Sequence, residues 1–370
     1  MRKTARGAEL PRRFGKLAQL RARQGWIMEK SRVDWVDYAK GLCMFLVVMF
    51  HCITSYDVLT GYERGFLHEV MDFALPFRMP DFFLISGLFL SLSINAPLKD
   101  YIDKKIVHFI YFYVLWLFIQ TAIVDANILV DDPMQWVQNY FIYFIDPYQT
   151  MWFVHMLAIF FAVTRLIRKV PPWIVLVVAG ALQALYHAEI LVTNWTVADR
   201  FFDRYIYFFI GYIAAPYVFK FADFMRDHWR VAIVALLAWG VANYWGVKIF
   251  LHFQPITSLI MGVVGAGAVI TTSVLFARFR IGEYFRYMGQ NSIVVYLTFV
   301  IPMKVMHKAL LEWNFIPDKG FADLATTIFA STVPLVFYFF IKNTPLNFLY
   351  VRPKAFRIVP AKGGAQAQGI

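Results

Sequence analysis

The feature that most constrains this chain is a succession of ten apolar stretches, at roughly 36–58, 73–95, 106–128, 151–167, 172–190, 201–220, 231–249, 257–276, 288–310 and 323–342. A helix rises about 1.5 Å per residue, so about 20 apolar residues cross a hydrocarbon layer about 30 Å thick. None of the stretches sustains the period-two alternation of barrel strands, and backbone groups in lipid must then be satisfied within helices. Composition agrees: 60% of the 370 residues are hydrophobic and only 16% charged, against about 25% charged in soluble domains. A soluble enzyme and a disordered chain are both excluded. The expected fold is an all-α polytopic membrane protein with about ten transmembrane helices.

Basic residues set the expected orientation. When the stretches are threaded alternately, 27 of the 36 Lys and Arg fall on the side of the N-terminus and seven on the other, while Lys40 and Arg78 lie inside spans. The positive-inside bias then puts both termini in the cytoplasm. Topology thus accounts for the net charge of +12, and no nucleic-acid partner is expected. Residues 1–32 read as a basic cytoplasmic arm without a signal-peptide core, with Met28 as an alternative start. Residues 33–345 form the membrane domain, and 346–370 a basic cytoplasmic tail. The loop at about 129–150 is aromatic (Trp136, Tyr140, Phe141, Tyr143, Phe144) and is expected to lie on the membrane surface or cover a cavity. Gly262, Gly265 and Gly267 read as a close helix contact. Cys43 and Cys52 are nine residues apart, on opposite faces of one helix, so they do not pair. No metal-ligand spacing is present, and no metal or permanently bound cofactor is expected.

Ionisable groups inside spans are costly and therefore candidates for function. Lys40 and His51 are eleven residues apart, which on a helix leaves them about 20° from the same line and about 16 Å apart along the axis. Asp37 lies within about 40° of that line. The second stretch carries Pro76, Arg78, Pro80 and Asp81. It runs the other way, so Arg78 and Asp81 are expected at the depth of His51, beside a bend made by the two prolines. The competing readings are structural: Lys40 snorkelling to headgroups, His51 as a packing residue, and Arg78 with Asp81 as a buried ion pair. Trp152 and His155, and the group Asp199, Arg200, Asp203 and Arg204, either line an acceptor cleft or are solvated helix ends. His68, His187, His228, His252 and His307 fall at loops or span ends and carry no signal by themselves.

The run Trp35-Val-Asp37-Tyr-Ala-Lys40-Gly41 through His51, with ten residues between the base and the histidine, resembles the first helix of the acyltransferase-3 family. These are integral membrane O-acyltransferases of bacterial glycans. Arg78-Met-Pro80-Asp81-Phe-Phe-Leu-Ile-Ser86-Gly87 resembles that family's next motif. Weaker echoes are Lys104-Lys105, Trp152-Phe153, the Tyr207 to Tyr212 run, and Gly289-Gln-Asn-Ser292 with Tyr296-Leu297. The resemblance covers about residues 32–345. It departs at Lys105-Ile-Val-His108, where the family often has Arg-x-x-Arg, and at Phe299, near where it often has a histidine.

The resemblance implies a multi-pass enzyme of the bacterial inner membrane. It would move a short acyl group, acetyl or alternatively succinyl, from cytoplasmic acyl-CoA to a hydroxyl of a cell-surface or exported polysaccharide. His51, Arg78 and Asp81 take the catalytic roles; Lys40, Lys104, Lys105 and His108 the donor; Trp152, His155, Asp203 and Arg204 the acceptor cleft. Acyl-CoA, the glycan and membrane lipids are its expected partners, and the oligomeric state is left open. The alternative is a secondary transporter that exports a glycan precursor or anion without acyl transfer.

Overall fold

The computed structural model describes residues 33–250 and 255–359. The N-terminal arm to residue 32, His252, and the tail from 360 onward lie outside these residues. Every element described is helical. In chain order the principal helices are α1 (Asp34–Thr60), α2 (Leu67–Ala74), α3 (Arg78–Leu88), α4 (Leu98–Val124), α5 (Pro133–Ile142), α6 (Gln149–Leu166) and α7 (Pro172–His187). They continue with α8 (Thr196–Asp227), α9 (Trp229–Phe250), α10 (Ile256–Phe279), α11 (Ser292–Thr298), α12 (Val300–Trp313) and α13 (Lys319–Ile341).

All ten expected stretches have a helix. Seven helices among the described residues are long and apolar enough to span a membrane alone, two further spans are bent pairs, and α7, at 16 residues, is short. The chain is thus a multi-pass membrane protein. One bend was expected: α2 and α3 meet at 48° where Pro76 and Pro80 withhold their donors. The other was not. α11 and α12 meet at 50° with Phe299 at the break, because Pro302 supplies no N–H for the carbonyl of Thr298 one turn earlier.

In lipid, burial of apolar area cannot drive helices together, so close van der Waals packing must. One such contact runs between α3 and α8, at two glycines. A Cβ on Gly87 would strike the Phe208 carbonyl, and one on Gly211 the Leu84 carbonyl. The expected small-residue contact of α10 is present at Gly262, against the Tyr207 ring, and at Gly265, against Phe77; Gly267 faces open space.

The aromatic loop is anchored to α4. Asp132 caps α5 by accepting from Gln135 N at 3.0 Å. Trp136 stacks on Tyr140 at 5.8 Å, and Tyr140 donates to the Val114 carbonyl at 3.1 Å. Tyr148 donates to Asp125 at 2.9 Å; burial, with that carboxylate beside it, holds the phenol above its ordinary pKa and hence neutral. Further on, the C-terminal segment lies along the opposite end of α4. Arg352 donates to the carbonyl and carboxylate of Asp103 at 2.8 and 2.9 Å, and Ile358 N to the same carboxylate at 2.7 Å. Asp103 sits in a π-helical turn, Ile102–Val107, that also carries Lys104 and Lys105.

Candidate active site

One face of α1 supplies the base of the site. Lys40 and Met44 line an apolar pocket enclosing about 470 Å³ with its open mouth included, whose other walls include Phe82, Ser86, Phe153 and Tyr296. His51 follows Met44 by seven residues, so it stands on the same stripe, about 10 Å further along the axis. Both helix breaks converge there. Phe299, the residue at the α11–α12 break, packs its ring against His51 at 5.5 Å, and Phe50 flanks the imidazole on the other side. Arg78, the first residue after the α2–α3 break, lays its guanidinium 3.5 Å from the centre of the Phe50 ring. It is the charged group whose field acts on the His51 ring.

Arg78 is buried, its Nη1 has no hydrogen-bond partner, and no carboxylate of the described residues pairs with it. Asp81 is fully buried with both carboxylate oxygens unpartnered. The structural reading of these two as an ion pair therefore does not hold. Buried polar groups are as a rule hydrogen-bonded, so a guanidinium and a carboxyl left open side by side on one helix mark a place where something else binds. The two point differently. Arg78 lies over Phe50 of α1, whereas Asp81 acts on Cys43 of α1 and Tyr207 of α8.

The four donor candidates gather at the pocket end of the bundle. Lys105 lies over the Phe161 ring at 4.9 Å, Lys104 is exposed, and the His108 ring packs on Phe112 at 5.0 Å with Nε2 unpartnered. Arg352 and Arg357, from the C-terminal segment, both act on His108; a sequence reading that ends the domain before residue 346 has no means of bringing them there. Asp37 accepts from Gln290 at 3.3 Å, which ties the opening motif of α1 to the Gly289-Gln-Asn run far along the chain.

The acceptor candidates divide. Trp152 carries Arg200 over its ring at 5.0 Å. Asp203 is buried and bonded to His187 at 3.0 Å and Arg204 at 2.8 Å, the paired helix-end arrangement. His155 turns away, onto Tyr113 at 5.0 Å. His68 and His307 turn out to belong to a buried group at the Thr60 end of α1. There Asp57 meets His68 at 3.1 Å and Lys319 at 2.9 Å, Lys319 meets Asp323 at 3.2 Å, and Tyr56 stacks on His307 at 5.0 Å. The only signal for this was the four-residue spacing of Lys319 and Asp323.

A comparison with known families matches residues 33–341 to an acyltransferase domain, that of the acyltransferase-3 family. The chain belongs to this family. The family's description is of acyl transfer and not of the transport alternative. Among curated proteins, the inner membrane protein YcfT of Escherichia coli strain K12 is 38% identical over 87 residues, a match covering 21% of this chain and 24% of that relative. The chain thus aligns with about a quarter of the relative's length. No solved structure matches this acyltransferase-3 chain.

Proposed function

We propose that this acyltransferase takes a short acyl group, with acetyl the first candidate and succinyl the second, from acyl-CoA. The acceptor is a hydroxyl of a cell-surface or exported polysaccharide at the bacterial inner membrane. The observation that carries the reading is a buried arginine, without a carboxylate partner among the described residues, on Phe50, next to His51, on the helix whose Lys40 and Met44 line an apolar pocket.

In this reading the CoA phosphates meet Lys104, Lys105 and the arginines near His108, where charge is abundant. The thioester reaches along the pocket past Lys40 toward His51. An acceptor hydroxyl gives its proton to His51 as its oxygen attacks the thioester carbonyl, and the carbon–sulfur bond then breaks, releasing CoA. Arg78 faces the negative charge that builds on the carbonyl oxygen. Among the described residues its guanidinium has no carboxylate to give up, so it is already set for that charge. Asp81, with two free acceptor oxygens, positions the acceptor sugar through its hydroxyls.

The test uses protein in nanodiscs with radiolabelled acetyl-CoA and, separately, succinyl-CoA, in the presence of polysaccharide. Release of CoA and label on the glycan, both lost in His51→Ala that inserts normally, is the expected result. Full activity of His51→Ala at equal protein level removes His51 from the mechanism. Label found on the protein itself, dependent on His51, replaces direct transfer with an acyl-enzyme route.

A further inference from the structure

Three arginines lie near one another beside the site, and only Arg204 has a carboxylate partner among the described residues. The glycine contacts set α3 on α8, Gly87 opposing Phe208 and Tyr212 and Gly211 opposing Leu84, and the Phe89 ring meets Phe219 at 6.1 Å further along both, so the two helices run parallel. Arg78 is nine residues before Gly87, so it stands about 13 Å back along the pair. That is level with the Arg200–Arg204 turn of α8, and both arginines act on Arg78. The carboxylates that could neutralise them are engaged: Asp203 with His187 and Arg204, Asp199 with the backbone and hydroxyl of Thr193 at 2.9 and 2.8 Å, and Asp72 with Arg64 at 2.6 Å. Arg200 rests on the Trp152 face and has no ion-pair partner among the described residues, and Arg78 keeps a buried nitrogen free.

Like charges drawn together at the edge of a low-dielectric site repel one another and are expensive to hold without a counter-charge. Among the described residues Arg204 alone has a carboxylate partner, Asp203, while Arg78 and Arg200 have none. Resting on the acyltransferase reading, we propose that Arg200, with Arg204 beside it, binds an oxyanionic substituent, carboxylate or phosphate, carried by the acceptor glycan, with Trp152 as the platform for the sugar ring that bears it. The enzyme then acts on acidic polysaccharide. The placement favours the acceptor over the acyl group as the source of the anion. None of the three arginines lines the pocket assigned to the donor, whose basic residue is Lys40, while Arg200 and Arg204 stand on the first turns of α8.

The experiment offers the purified full chain in nanodiscs three substrate pairs: acetyl-CoA with a galacturonate trisaccharide, acetyl-CoA with its carboxyl-reduced neutral counterpart, and succinyl-CoA with the neutral one. The acidic trisaccharide should be the better acceptor by roughly tenfold to a hundredfold in kcat/KM, the range of a charge-assisted hydrogen-bond set. In Arg200→Gln the acidic-to-neutral ratio should fall toward one, and Arg200→Lys, which keeps the charge on a similar stem, should restore much of it. Equal use of both acceptors with acetyl-CoA overturns the proposal while leaving the acyltransferase reading in place. A preference for succinyl-CoA on the neutral acceptor that Arg200→Gln removes also overturns it, and assigns the arginines to the acyl group. Absence of CoA release in every pair sinks the acyltransferase reading itself, and this inference with it.

Discussion

Six residues along α1 separate two buried sets of ionisable groups that have opposite fates. Beside His51, Arg78 leaves a buried donor open and Asp81 leaves two acceptors open. At Asp57, the carboxylate, His68, Lys319 and Asp323 close on one another within 2.9 to 3.2 Å. Both sets face interior contacts of the same helix, so burial alone does not distinguish a chemical site from a structural clasp. Pairing does. A buried charge whose partner is internal holds helices together, and here it fastens α1 to α2 and α13. A buried charge without one is kept at a cost in stability that a bound ligand offsets.

The sharpest way to break this comparison is His51→Ala. Turnover should fall by roughly 10² to 10⁴ with an unchanged thermal midpoint in detergent; a variant that unfolds instead would make His51 a structural residue like His68. The reverse outcome is expected at the clasp. Asp57→Asn should destabilise by about 3–5 kcal/mol, the cost of stranding a buried partner, with specific activity per folded molecule retained. Pairing it with Lys319→Met should recover part of the loss, and a double variant no more stable than the single would show that the two residues do not act together. Pro302→Ala addresses the bend between the two sets. Restoring the N–H lets α11 and α12 straighten and move Phe299 off His51, so activity should drop by roughly tenfold while stability rises slightly. Unchanged activity would mean that the break does not position the imidazole. The smallest effect is assigned to Lys308→Ala, beside His307 on α12. Its pair with Glu312 is exposed, and neither the thermal midpoint nor turnover should move measurably.

Much of this was legible from local pattern. The ten stretches, the bend at Pro76 and Pro80, and the stripe from Lys40 to His51 follow from hydropathy, proline chemistry and a fixed helical pitch, each a property of neighbouring residues. The second bend was written at Pro302 in the same way and was missed because one proline in a long apolar run is often tolerated. The catalytic candidates were legible for a similar reason: an ionisable residue inside a span is conspicuous wherever the chain later puts it.

What the sequence by itself determined is therefore the number and rough extent of the helices, the chemistry available on each, and the two motifs that mark the acyltransferase-3 family. The tertiary structure alone decided which charges are satisfied. Arg78 and Asp81 are three residues apart on one helix yet do not pair, while Asp57 and Lys319 are far apart in sequence and do. It also brought Arg352 to Asp103, Phe299 to His51, and Arg200 level with Arg78. The reason is physical. Composition and pitch are local quantities, whereas the partner of a buried charge is set by how helices from distant parts of the chain pack, and here that packing is fixed by the backbone contacts at Gly87 and Gly211.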